Sequence, residues 1–282
     1  MLKAVYTHWN LERNANGFNS FKDFLMTMML SVLTSRKNFD KVELFTNSFY
    51  KKILVDEIGM PFTKVHITLD HFNNLGKIWW GYCKVHTYSL QTEPFFHIDN
   101  DAFLWDGLPP ELKDCKMFFQ SIETPFEEGY GWYKPLLEFS KCVPVFPKLI
   151  RNNPVDFAFN CGVMGCNDTS LLKKWFNLST LYVMSSENQP LWKDPDNLLI
   201  HQNLLHEQYF IASLTKSEGW KIGKDIKFLL NHKTLQNDCY KKYRYTHLWG
   251  LDKKHEEYMD KVYSRMRRDY PEQYKKIVST KN

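Results

Sequence analysis

A chain of 282 residues can bury a substantial core as one large domain with, at most, a small appendage. Its 43% hydrophobic and 24% charged residues argue against a disordered, fibrous or repeat protein, and a net charge of +5 spread among mixed signs admits an anionic ligand without requiring nucleic acid. The aromatic fraction, 16%, is high enough to furnish flat faces for sugars or nucleobases as well as a core.

The opening stretch "KAVYTHW" reads as a short buried strand. Ser20 then stands as an N-cap with Asp23 three residues on, and Phe21, Phe24, Leu25, Met28, Met29, Val32 and Leu33 fall at helical spacing. This is also the longest apolar segment, but Lys22, Asp23 and Thr27 interrupt it and it falls short of the ~20 residues a membrane span needs. "KVELFTN" predicts a second strand ending on Asn47, "SFYKKILVDEIG" a helix stopped by Gly59, and "KVHITL" a third strand. A helix over 78–90 leads into a strand at Phe95–Ile98. Four strands alternating with three helices predict an α/β protein with a parallel, doubly wound sheet, in which ligands bind outside the carboxyl ends of the strands.

Residues 109–154 hold seven prolines and the aromatic loop "EEGYGWYKP", and read as a functional loop region with some short strands. "DFAFNCGVMGC" gives two strand pieces around Gly162, "TSLLKKWFNLSTLYVM" a helix, and "DNLLIHQNLLHEQYFIASLTKSEG" a helical run stopped at Gly219. From Lys254 a basic, Tyr-rich amphipathic helix follows, with Tyr258, Val262 and Met266 at helical spacing, so the chain divides into 1–253 and a C-terminal helix, 254–282. Six cysteines at irregular spacing, without a C-x-x-C pair or a secretory apolar region after Met1, predict reduced thiols in a cytoplasmic protein.

Four features carry chemistry. Asp99 and Asp101 end the fourth strand one residue apart, presenting two hard oxygen donors suited to Mg²⁺ or Mn²⁺; alternatively they cap a turn. His247, Gly250 and Lys253 have the spacing H-x-x-G-x-x-K: a third metal ligand, a close backbone approach to a phosphate and a cation to pair with it, or else a surface loop. In "FNCGVMG", Asn160 offers an amide to sugar hydroxyls, or marks a hairpin turn. Glu207 and Gln208 lie together in an apolar helical run, either exposed on one face or aimed into a cleft.

In this order the four features resemble the motifs of GT-A-fold nucleotide-sugar glycosyltransferases, in particular the glycogenin-like and bacterial lipopolysaccharide galactosyltransferase-like branch. The resemblance extends from Tyr6 to Lys253 and implies a Rossmann-like, mostly parallel sheet flanked by helices. It assigns Asp99, Asp101 and His247 to Mn²⁺ or Mg²⁺ and Gly250 and Lys253 to the diphosphate, with Asp99 and Asn100 also among the donor-binding residues. Tyr6 and Thr7 would lie near the nucleotide base, Lys84 would contact the donor, and Asn160 and Gln208 would stand near the transferred sugar. Tyr209 follows Gln208 where the family has an acid, and Lys254 stands where it commonly has proline. The implied reaction moves a hexosyl group from a nucleoside-diphosphate sugar, UDP favoured, to a glycan or glycolipid, with retention favoured over an inverting scheme in which Glu207 is the base. Read from the residues themselves, Trp132 and Tyr133 on their glycine-flanked loop either close a lid over the acceptor or pack their rings onto the domain, and the C-terminal helix, whose charges are mixed, either stays solvated or makes peripheral contact with the inner face of a membrane. The rival expectations are a nucleotidyltransferase, which would need a Gly-rich loop where "YTHWNLERNANGF" has only Gly17, and a non-catalytic nucleotide-sugar-binding protein.

Overall fold

Ser20 opens the first long helix as its sequence predicts, its side chain accepting a hydrogen bond from the Asp23 backbone at 3.1 Å. The computed structural model describes residues 2–75, 79–124, 133–193, 199–230, 244–248 and 250–280. In chain order these form β1 (Lys3–His8), α1 (Phe21–Asn38), β2 (Val42–Thr46), α2 (Ser48–Lys51), β3 (Lys64–Ile67), α3 (Trp80–Ser89), β4 (Phe95–Ile98), β5 (Ala102–Leu104), β6 (Met117–Phe119) and β7 (Ile122–Glu123). There follow α4 (Tyr133–Ser140), α5 (Lys148–Asn152), β8 (Ala158–Phe159), β9 (Val163–Cys166), α6 (Leu172–Met184), α7 (Gln189–Trp192), α8 (Leu199–Leu204), α9 (Phe210–Ser217), β10 (Ile226–Phe228), β11 (Tyr245–His247), α10 (Glu256–Asp269) and α11 (Pro271–Val278). Seven strands belong to one mixed, mostly parallel sheet, so the fold is α/β. Among the described residues no helix is long and apolar enough to cross a membrane.

The chain forms two compact units. Among the described residues the first contains 2–74, 96–108, 244–248 and 250–280. Here the strands run β4-β1-β2-β3, with β1 parallel to β2 and β2 to β3. β1 is buried along its whole length, and α1 buries Leu25, Met28, Met29 and Val32 completely, each such side chain contributing roughly 1.5–3 kcal/mol. The second strand ends one residue earlier than expected, because the Asn47 side chain accepts from Tyr50 N at 3.0 Å and caps α2. After α2 the helix widens into a π-helical stretch, Lys52–Glu57, and ends before Gly59 at φ +72°. The C-terminal segment is not one helix from Lys254. Lys254 closes a 3₁₀ turn, and Pro271, which lacks an N–H and pushes Tyr270 to φ −141°, separates α10 from α11. Both helices pack against α1, where the Tyr263 hydroxyl donates to Asp23 at 2.8 Å. Much of the charge on α10 is matched locally, by Lys261–Glu257 and Arg265–Asp269 pairs.

The second unit contains, among the described residues, 75, 79–95, 109–124, 133–193 and 199–230. β6 runs parallel to β10 and antiparallel to β9, and α3 packs against α6. Gly165 in β9 lies under the Phe118 ring, which a Cβ there would meet at 1.8 Å. The two strand pieces around Gly162 do not form a hairpin, since β8 pairs with β7 in a separate small sheet while β9 belongs to the main one. The helix expected over 78–90 is described from Trp80. Of the lid loop, Trp132 lies outside the described residues and Tyr133 begins α4.

Candidate functional site

The buried run of β4 ends in a tight turn in which Ala102 N donates to Asp99 O at 3.1 Å. Ser31 on α1 anchors this turn by donating to Ala102 O at 2.5 Å. β5 then pairs antiparallel with β11, in a register that sets His247 opposite Ala102, while Leu248 N donates to Asp101 O at 3.0 Å. Backbone pairing therefore brings the histidine beside the second aspartate. One donor atom from each of Asp99, Asp101 and His247 lies within 4.8 Å of the others. Beyond β11, Gly250 at φ +53° turns the chain, a conformation in which any side chain would be strained. The turn that follows delivers the Lys253 ammonium to 2.5 Å from Asp101 Oδ2 and 5.5 Å from the Phe18 ring.

The electrostatics centre on Asp101. Burial alone would raise its pKa, but Lys253 and His247, the latter with Nε2 3.2 Å from Oδ1, outweigh burial by charge and hydrogen bonding and hold the carboxyl well below the usual range. Asp99 is more open, 24% exposed in its side chain. Two carboxylates and an imidazole form a donor set that could hold a divalent metal ion. Adjacent ligands of an octahedral ion with 2.0–2.1 Å bonds stand about 3 Å apart and opposed ones about 4 Å, so a donor spread of 4.8 Å closes on one ion by side-chain rotation.

Around this cluster, Tyr6 turns into the core and bonds Ser31 and Ser35 at 2.8 and 2.7 Å. Thr7 bonds His97 Nε2 at 3.2 Å, and its carbonyl accepts from Asn100 at 3.4 Å. Two supporting residues escape the sequence reading. His97, whose only signal is being polar within "FFHI", is 1% exposed and braces Thr7. His8, packed against Phe24 and Tyr50, is pushed down to about 3 by burial and is neutral. Its Nδ1 meets the Asn100 amide at 3.0 Å, while His8 Nε2 and Asn100 Oδ1 are buried without partners among the described residues.

Lys84, Asn160, Glu207 and Gln208 belong to the second unit. Glu207 is not on an exposed face; it is fully buried and pairs with Lys84 at 2.5 Å. Lys84 Nζ also donates to Cys161 O at 3.3 Å. Asn160 accepts from Gly162 N at 2.8 Å and donates to Glu123 at 2.5 Å, a buried acid that the sequence reading also missed. Glu207 and Gln208 fall in a π-helical stretch, Leu205–Tyr209, between α8 and α9, and Gln208 is 7% exposed. Irregular turns of this type recur at functional sites.

A family model described as "Family of unknown function (DUF6734)" matches residues 2–280. No curated protein matches the sequence. Among solved structures, the chain is similar to galactosyltransferase LgtC in complex with donor and acceptor sugar analogues, at 16% identity over 73% of this chain and 70% of that one, TM-score 0.39. It is also similar to mouse xyloside xylosyltransferase 1 in its apo form, at 12% identity over 86% and 93% of the two chains, TM-score 0.41. A third similarity is to the inositol-1-phosphate CTP transferase from T. maritima, at 11% identity over 95% and 97%, TM-score 0.41.

Proposed function

Since the chain belongs to DUF6734, a family of unknown function, its activity is to be read from the site, and we propose a metal-dependent glycosyltransferase acting on a nucleoside-diphosphate sugar. The observation that supports this is the gathering of Asp99, Asp101 and His247, with Lys253 beside them, at the carboxyl end of β4. A divalent ion there would neutralise charge on the departing diphosphate as a Lewis acid. Asp99, Asp101 and His247 would hold it. Lys253 would exchange Asp101 for a phosphate oxygen, and Gly250 would admit that phosphate close to the backbone. Asn100 Oδ1 and His8 Nε2, buried and unpaired among the described residues, suit polar groups of the nucleoside.

In the second unit, Asn160 and Gln208 are proposed for the transferred sugar. Lys84 neutralises Glu207 at 2.5 Å, which favours Glu207 as a fixed charge over a proton acceptor and so favours retention. The donor is proposed to be a UDP-hexose and the acceptor a glycan or glycolipid.

The test is thermal unfolding against UDP, GDP, CMP and ADP, each with and without Mn²⁺, followed by turnover with the sugar of whichever nucleotide responds. A ligand at ~100 times its Kd stabilises by about 2.7 kcal/mol, a shift of several degrees at roughly 2–4 °C per kcal/mol. A Mn²⁺-dependent shift for one nucleotide is expected; no shift for any of them overturns the proposal. Binding without turnover would leave a nucleotide-sugar-binding protein.

Lys253 gives a sharper prediction. Its ammonium rests on the carboxylate oxygen that the ion would take. Lys253→Met is therefore expected to tighten binding of Mn²⁺ alone by about tenfold, near 1.4 kcal/mol, while weakening binding of the nucleotide. Calorimetric titration with Mn²⁺, then with the nucleotide at saturating Mn²⁺, reads both; a loss of Mn²⁺ affinity would contradict the exchange.

A further inference from the structure

A cavity of about 670 Å³ opens on the second unit beside the end of α9, lined among others by Phe157, Trp220, Lys216, Lys221, Asp156 and Ile222. It shares no residue with the Asp99, Asp101 and His247 cluster. We propose that this cavity binds an acidic sugar, stacking its ring on Trp220 and Phe157 and pairing its carboxylate with Lys216 and Lys221.

The size falls within the few hundred to 1,000 Å³ range of small-molecule sites, which combine aromatic walls with a few polar groups. Trp220 is partly exposed, and its indole N–H bonds to no other described residue. The Lys116 ammonium lies 4.6 Å from the Trp220 ring centroid and is held 3.6 Å from Asp225, which fixes the indole at the cavity wall. Ile222, 49% exposed, extends the apolar surface into solvent.

Charge selects the ligand. Lys216 donates to the Pro154 carbonyl at 2.6 Å but has no carboxylate partner, and the Lys221 ammonium likewise has none among the described residues. Two neighbouring acids are already engaged, Glu218 with Lys174 at 2.5 Å and Asp225 with Lys116 and the Lys221 backbone N–H. Among the described residues Asp156 is the one carboxylate in the cavity wall, so that wall carries net positive charge. An anion with a flat, C–H-lined face and hydroxyls satisfies all of these groups: lysines for the carboxylate, rings for the face, Asp156 and the Trp220 N–H for the hydroxyls. A neutral sugar would make no charge pair with either ammonium, and a compact phosphate would leave the rings uncovered.

As the docking point of an acidic acceptor glycan the cavity rests on the transferase reading; as a binding site it does not, and binding rather than turnover tests it. Calorimetric titrations would use trigalacturonate and, as neutral control, maltotriose, against the wild type, Trp220→Ala, and the double variant Lys216→Gln/Lys221→Gln, whose two lysines are exposed and dispensable for packing. Trigalacturonate is expected to bind the wild type at least tenfold more tightly than maltotriose. Each variant should lose at least tenfold in that affinity while keeping its melting temperature and any Mn²⁺–nucleotide shift. Absence of trigalacturonate binding, equal affinity for both sugars, or affinity retained in the double variant would overturn the proposal. A wild type that binds trigalacturonate but shows no nucleotide shift would instead leave this site standing and remove the transferase.

Discussion

Asp101→Asn is expected to abolish the Mn²⁺-dependent thermal shift and to lower turnover by about 10²–10³-fold or more, the range seen when one preorganised charge-stabilising group is lost. The substitution keeps the size of the side chain but removes the charge that both the ion and Lys253 require. In the metal-free protein it leaves the Lys253 ammonium without its partner. Lys253 is 22% exposed and can turn to water, so the cost is set at about 1–3 kcal/mol, below that of breaking a fully buried pair. The pH dependence has a definite sign. Because the Asp101 carboxyl is held below its unfolded value, its ion pairs stabilise the fold fully above about pH 4 and are lost as the pH falls below it. Melting temperature followed from pH 7 to pH 3 should therefore fall less steeply in Asp101→Asn than in the wild type. Matching profiles, with the nucleotide shift intact, would show that Asp101 caps a turn and does nothing more.

Lys84→Met should strongly destabilise the second unit. Glu207 is fully buried, and removing the ammonium 2.5 Å from it takes away the counter-charge of a carboxylate held away from water. Breaking such a pair costs about 3–5 kcal/mol, or roughly 6–20 °C in melting temperature. Replacing both partners, as Lys84→Met with Glu207→Leu, is expected to recover most of that loss, since buried pairs are often matched by apolar residues of similar size. Unfolding of the wild type, the two single variants and the double variant forms a cycle whose interaction energy isolates the pair. If the double variant is as unstable as the sum of the single ones, Lys84 stabilises the unit through other contacts, such as its ammonium over the Trp80 ring 5.5 Å away, and not through Glu207.

What could be foreseen from the chain follows the length of its signals. The Ser20 cap, the apolar spacing of α1 and the strands through Ile98 are local patterns of four residues or more, and the structure follows them closely. Asp99 and Asp101 were legible because a buried run ends on them. Elements of two or three residues, such as β5, β7 and β11, carry too few positions for alternation to be read. The π-helical stretches at Lys52–Glu57 and Leu205–Tyr209 change the residue count per turn without any composition that announces it. Whether Glu207 faced solvent or a cleft depended on Lys84, 123 positions earlier, and only tertiary packing reveals it as a buried partner. The sequence reading passed over Pro271, the helix breaker from which the two-helix form of the C-terminal segment follows.

The pairing of β5 with β11 makes the cluster a late product of biosynthesis. Trp105 and Thr246, which bond across these strands at 3.0 Å, are separated by 141 residues, and Asp23 and Tyr263 by 240. A ribosome working at 5–20 residues per second needs roughly 7–30 s to travel from the aspartates to the histidine. Through that interval the nascent first unit has its parallel strands and both carboxylates but lacks His247, Lys253 and the two helices that cover α1. Closing so long a loop is also entropically costly, so refolding from denaturant should be slow for the first unit. A cation captured by the paired aspartates during synthesis would meet two ligands instead of three, and the full affinity of the centre would arrive only with the last part of the chain.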